Sequence, residues 1–97
     1  MIDLYSANTP NGKKISIMLE EIEFEYKVVK VDINNGEQFN EEFKKISPLS
    51  KIPVIIDQNK NKTIFESGAI LMYLAEESGK FYDQKNRLEI NQWLMAQ

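Results

Sequence analysis

Pro53 stands directly in front of the β-branched run Val54-Ile55-Ile56, which Asp57 follows. A proline has no N–H to give to a sheet ladder, so it must open that strand rather than sit inside it. The residue before it, Ile52, is pushed toward an extended backbone. Ile52 is thus expected to have strand-like shape without an internal partner for its N–H and C=O. Such a residue can pair with an extended peptide. An ordinary loop running into a strand is the plainer alternative.

The rest of the chain supplies a sheet for that strand to join. Ile2-Asp-Leu-Tyr5 alternates and reads as a first strand. Ile15, Met18, Leu19 and Ile22 fall at i, i+3, i+4 and i+7, giving one apolar helical face. Glu25 to Ile33 is β-branched and alternating, which predicts a second strand. A βαβ unit implies parallel strands and a right-handed crossover.

Asn34-Asn35-Gly36 is turn chemistry, and Asn40 before Glu41 and Glu42 caps a short helix carrying Phe39, Phe43 and Ile46 inward. The polar stretch Gln58–Lys62 turns strand three back into Thr63-Ile-Phe65 as a hairpin. Ser67 opens a third helix with Ile70, Leu71, Leu74 and Ala75 apolar, and Gly79 ends it. Asp83 is expected to cap a fourth helix carrying Ile90, Trp93 and Leu94. The sequence stops at Gln97 inside that pattern, which suggests a truncated chain or a partner that covers the Trp93 face.

Composition narrows the chemistry. Cysteine and histidine are both absent. Disulfides, protein thiolates, Cys/His zinc sites and imidazole bases are therefore excluded. Net charge is −3 with scattered basic residues, so no nucleic acid and no anionic membrane is expected as a partner. No apolar run approaches ~18 residues, and Met1 leads directly into a strand-like segment. Neither a membrane span nor a signal peptide is expected, and a cytoplasmic address is the default.

Two short motifs could hold an anion. In Thr9-Pro10-Asn11-Gly12, an ordinary helix start and a functional site are both open. Threonine is a good N-cap and proline a good first-turn residue. Glycine in that first turn costs ~1 kcal/mol relative to alanine, and it admits close approach of another backbone or a ligand. A hydroxyl and free N–H groups at a helix N-terminus attract an anion, and a thiolate is one. Glu66-Ser67-Gly68 repeats the pattern. Ser67 either caps helix three or, with free N–H groups, binds a carboxylate while Glu66 takes an ammonium, as an α-amino acid end group requires. Gly68 leaves room for such a ligand. Gln38 and Lys51 alone read as ordinary solvated side chains.

Taken jointly, Tyr5, Thr9-Pro-Asn-Gly12, Ile46-Ser-Pro48, Lys51-Ile-Pro-Val54 and Phe65-Glu-Ser-Gly-Ala-Ile70 resemble the N-terminal domain of a glutathione transferase. The pattern is most similar to the bacterial Nu class, which includes glutathione-dependent disulfide-bond oxidoreductases. The resemblance implies an α/β thioredoxin-like fold, βαβ-α-ββ-α, with a four-stranded mixed sheet of order 2-1-3-4 and a cis Pro53. It implies a glutathione-binding domain over residues 1–80, with residues 81–97 a linker and the first helix of an all-helical domain.

By the same resemblance glutathione, reduced or oxidised, is the cosubstrate, no metal is needed, and the protein is a homodimer. The cysteinyl part pairs with Ile52 beside Pro53, Glu66 and Ser67 hold the γ-glutamyl end, and Gln38 and Lys51 lie near the glycyl carboxylate or backbone. Thr9 and Asn11 match the residues that face the sulfur. The implied activity is disulfide reduction or conjugation to an electrophile. The alternative is a glutathione-binding or structural thioredoxin-fold fragment without activity, because the helical domain is absent.

Overall fold

A computed structural model describes residues 1–97. Five strand residues, Ile2–Ser6, form β1, with Ile2, Leu4 and Ser6 buried on one face. Helix α1 follows at Pro10–Glu21. Its N-cap is Thr9, whose Oγ1 accepts the Gly12 N–H at 3.1 Å. Ile15 and Leu19 bury completely beneath it, and Ile22 stays in the core at its C-terminal cap. Strand β2 is Tyr26–Lys30, shorter than the Glu25–Ile33 expected from the sequence. The Val31 N–H still donates to the Ser6 carbonyl at 2.8 Å. Then the Glu37 carboxylate takes the Asp32 N–H at 2.6 Å, and the chain coils into two 3₁₀ turns, Ile33–Asn35 and Glu37–Phe39.

Helix α2 spans only Glu41–Lys44. Asn40 precedes it without a side-chain capping bond, and Phe43 alone of its residues is buried. Phe39, expected inward, is 62% exposed because the second 3₁₀ turn points it outward. Strands β3, Val54–Asp57, and β4, Lys62–Phe65, form the expected hairpin, and α3 runs Ser67–Ser78 to a left-handed Gly79. The fourth helix, α4, spans Arg87–Met95. Asp83 does not cap it. Its Oδ1 instead accepts the Asn86 N–H at 2.8 Å, closing a separate turn one step earlier.

The sheet order is β2-β1-β3-β4. Strand β1 pairs parallel with β2 and antiparallel with β3, and β3 pairs antiparallel with β4. This is the expected 2-1-3-4 thioredoxin-like sheet, and the Ile52–Pro53 bond is cis. Alternation along each strand splits the core in two. Ile2, Leu4 and Ile55 meet Ile15, Leu19, Ile22, Ile70 and Leu74 of α1 and α3 on one face. Val54 joins Val31 and Phe43 on the other, with Tyr5, Ile46 and Ile52 packed against them. The tyrosine ring lies 6.3 Å from that of Phe43.

Helix α4 shares an apolar cavity with α1 and α3. Ile90 and Leu94 join Met18, Leu71, Met72, Ala75, Phe81 and Tyr82 around a small all-apolar cavity. Trp93, expected on the same face, is 74% exposed, and Leu88 and Met95 are exposed with it. No helix is long and apolar enough to cross a membrane.

Candidate functional site

Three segments converge at one edge of the sheet. They are the first turn of α1, the loop into β3, and the junction of β4 with α3. Asn11, Ser47, Leu49, Lys51, Ile52, Pro53, Phe65, Glu66 and Ser67 line a cleft of about 110 Å³ there. Six of the eight sequence candidates thus share one wall: Asn11, Lys51, Ile52, Pro53, Glu66 and Ser67. Thr9 and Gln38 do not line it. Thr9 sits just behind Asn11 at the helix cap. Gln38 lies on the second 3₁₀ turn, with its Oε1 buried and unpartnered.

Ile52 enters the cleft with its backbone N–H and C=O in no hydrogen bond within the chain. A peptide laid antiparallel to it can satisfy both groups. What holds Ile52 there is Ser47, only 1% exposed. Its hydroxyl donates to the Lys51 carbonyl at 2.7 Å and accepts the Lys51 N–H at 3.0 Å. Its own N–H donates to Phe43, which ties the loop to α2. The sequence alone does not reveal this role of Ser47, since one loop hydroxyl looks like any other until both of its partners are known. Leu49 and Phe65 were missed as wall residues for a similar reason, being exposed apolar side chains.

At the α3 end the N–H groups of Ser67, Gly68 and Ala69 have no acceptor. Ser67 is not the cap. It is the first helical residue, and Glu66 occupies the cap position with no side-chain capping bond. Glu66 has φ 73° and ψ 119°, left-handed backbone that a non-glycine residue rarely adopts. Strain of this kind costs about 1–3 kcal/mol and concentrates at ligand clamps. It sets an exposed carboxylate beside three free donors. Together they match both ends of an α-amino acid group.

Neither glycine has its open side toward a ligand in the cleft. A Cβ at Gly12 would collide with the Ser6 hydroxyl and lie 2.5 Å from the Ala7 carbonyl. That glycine lets α1 start against the end of β1, so of the two roles open to it the backbone approach is the one realised. A Cβ at Gly68 would lie 3.5 Å from the Gln97 amide nitrogen and 3.9 Å from Leu94, so its open side faces α4.

At the α1 end Asn11 keeps a free backbone N–H. Thr9 Oγ1 accepts from Gly12 and donates to nothing, so its proton is available. A free hydroxyl proton and a free N–H at a helix N-terminus suit an anionic sulfur or oxygen. No group of three or more acidic, His or Cys side chains is placed to hold a metal ion.

The opposite end of β3 is structural. Asp57 accepts the Tyr73 hydroxyl at 2.6 Å and the N–H groups of Asn59 and Lys60 at 3.1 and 3.4 Å. Desolvation pushes this carboxyl up, but those donors together outweigh it and hold it below the usual aspartate value. Burial and then the Asp57 carboxylate push the Tyr73 phenol well above its ordinary value.

A family model for the glutathione S-transferase N-terminal domain matches residues 1–76. The disulfide-bond oxidoreductase YfcG of Escherichia coli K12 is 49% identical over 104 residues, covering 100% of this chain and 48% of that protein. A glutathione transferase from Pseudomonas putida, with one glutathione disulfide bound per subunit, superposes with a TM-score of 0.91 at 48% identity. The match covers 97% of this chain and 44% of that one. A family member from Pseudomonas fluorescens Pf-5, with two glutathione bound, gives 0.89 at 47% identity, with 97% and 44% covered. The chain spans just under half the length of these relatives.

Proposed function

The chain belongs to the glutathione S-transferase family, and on that footing we propose that it binds glutathione, reduced or oxidised, and uses the glutathione thiolate to reduce a disulfide or attack another electrophile. One observation carries the reading. An extended residue, Ile52, offers an unpaired N–H and C=O in a cleft that Asn11 lines from the α1 side and Glu66 and Ser67 from the α3 side. The cleft is too small to engulf a tripeptide, so the ligand lies along it. The cysteinyl unit pairs with Ile52 beside Pro53. The Glu66 carboxylate takes the γ-glutamyl ammonium, and the Ser67 hydroxyl and the α3 N–H groups take its carboxylate. Lys51, and Gln38 further out, serve the glycyl end.

The sulfur then falls near the α1 N-terminus. The Thr9 hydroxyl and Asn11 N–H donate to it and favour thiolate over thiol. One or two such bonds lower a thiol pKa by roughly one or two units, each worth about 1.4 kcal/mol. The thiolate attacks one sulfur of a disulfide and expels the other as a thiolate. A second glutathione thiolate attacks the mixed disulfide, giving glutathione disulfide and the second reduced thiol. Two glutathiones are oxidised, one disulfide is reduced, and no protein cysteine takes part. This accords with a chain that has none.

In this reading residues 1–80 form the glutathione-binding domain, and residues 81–97 are a linker and the opening of a helical domain. The whole protein is a cytoplasmic homodimer. Thermal shift with reduced and with oxidised glutathione tests it, followed by turnover of a small disulfide. A rise in melting temperature with either ligand at millimolar concentration supports the proposal, and no rise with either refutes it. The span of the chain, just under half that of its relatives, favours a second reading for these residues alone: glutathione binding without turnover. A thermal shift with no disulfide reduction selects that one.

A further inference from the structure

Lys14 lies outside the cleft wall yet reaches it through Asn11. Its ammonium donates to Asn11 Oδ1 at 3.1 Å and to Gln97 Oε1 at the end of α4. We propose that Lys14 is a positioning residue for the sulfur site, fixing Asn11 and keeping an unneutralised positive charge behind the first turn of α1 so that bound glutathione favours its thiolate. The proposal rests on the function argued above.

The charge pattern of α1 supports it. A helix N-terminus favours acidic residues and disfavours cations. Yet α1 has no acid in its first turn and carries Lys13 and Lys14 just beyond it. Lys45 and Lys60 each pair with a carboxylate, that of Glu42 and of Glu77. Both partners of Lys14 are neutral amides, and it forms no ion pair. Its charge therefore adds to the helix dipole at the spot where a thiolate would sit.

The cleft wall contributes Lys51 and Glu66. Glu66 is assigned to the far, γ-glutamyl end. On β1, Tyr5 is turned against Phe43, and Gly68 of α3 faces Leu94 and Gln97. Lys14 is the cation linked to Asn11 by a hydrogen bond, and Gln97 holds it in place from the other side.

The test compares the unaltered protein with Lys14→Met, Lys14→Gln and Lys14→Arg. Calorimetry gives glutathione affinity, ultraviolet absorbance of the thiolate gives its titration while bound, and disulfide turnover is followed against pH. Lys14→Met is expected to bind glutathione within about twofold of the parent while its thiolate fraction below the parent midpoint falls about threefold. Turnover should fall in parallel at low pH and recover at high pH. Lys14→Arg should restore the parent titration. Lys14→Gln, which keeps a donor for Asn11 but no charge, should follow Lys14→Met. Normal binding with an unmoved titration in both neutral variants overturns the assignment, as does a loss of turnover equal at every pH. No glutathione binding by the unaltered protein overturns the functional reading and this assignment together.

Discussion

The Ser47 hydroxyl holds both backbone groups of Lys51, donating to its carbonyl and accepting its N–H, at 2.7 and 3.0 Å. Ser47→Ala leaves those two groups without a partner in a part-buried loop, and each buried polar group left unpaired costs about 1–3 kcal/mol. The variant should melt several degrees lower. Because Ile52 follows directly, glutathione should bind more weakly as well. Calorimetric melting and a ligand titration on one sample check both.

Thr9 has two tasks that can be separated. Thr9→Ala removes the cap on Gly12, at about 1 kcal/mol of stability, and also removes the sulfur donor. Turnover should therefore fall by at least tenfold with binding little changed. Thr9→Ser keeps both functions and should behave like the parent. Ser67→Ala makes the opposite contrast, weakening binding while leaving the melting temperature near the parent value, since Ser67 caps nothing. A Ser67→Ala variant with undiminished affinity would exclude that hydroxyl from the ligand site.

Glu66→Gly sets stability against function. Glycine adopts a positive φ without the cost that glutamate bears. The variant should be as stable as the parent or more so, by up to about 1 kcal/mol. It also lacks the carboxylate proposed for the γ-glutamyl ammonium, and affinity should drop about tenfold or more. Affinity that rises along with stability would remove Glu66 from the clamp.

Acid and alkali should both loosen the end of β3. Asp57 has a depressed value in the folded chain, so its contribution is complete above the unfolded aspartate value and is lost as pH falls through the lower, folded one. That loss begins near about pH 4. Tyr73 is shifted upward, so its contribution is complete below the unfolded tyrosine value, about 10, and is lost as pH climbs beyond it. Tyr73→Phe should shrink the alkaline arm to what Tyr26 and Lys60, both also shifted upward, still contribute, and weaken the acid one. Melting curves from pH 2.5 to about 11 measure both arms.

The periodic segments were readable in advance because burial on one face leaves a repeat in the sequence. Ile15, Met18, Leu19 and Ile22 announced α1, and the run after Pro53 announced β3. The order of the sheet and the gathering of Asn11, Ile52, Glu66 and Ser67 followed from motifs taken together. What escaped was decided by single polar contacts that leave no repeat. The Glu37 carboxylate ends β2 early by capturing the Asp32 N–H, and Asp83 closes a turn of its own instead of starting α4. Spacing alone groups Trp93 with Ile90 and Leu94 on one apolar face. From α4, Ile90 and Leu94 line the apolar cavity beside α1 and α3, and Trp93 does not.

That outward indole is the only tryptophan in the chain. Its emission is therefore a one-residue optical gauge, free of background from the core. In water it should sit at the red end of the indole range and be quenched readily by iodide. Any surface that comes to shield α4 will announce itself by a blue shift and loss of quenching, with no label added.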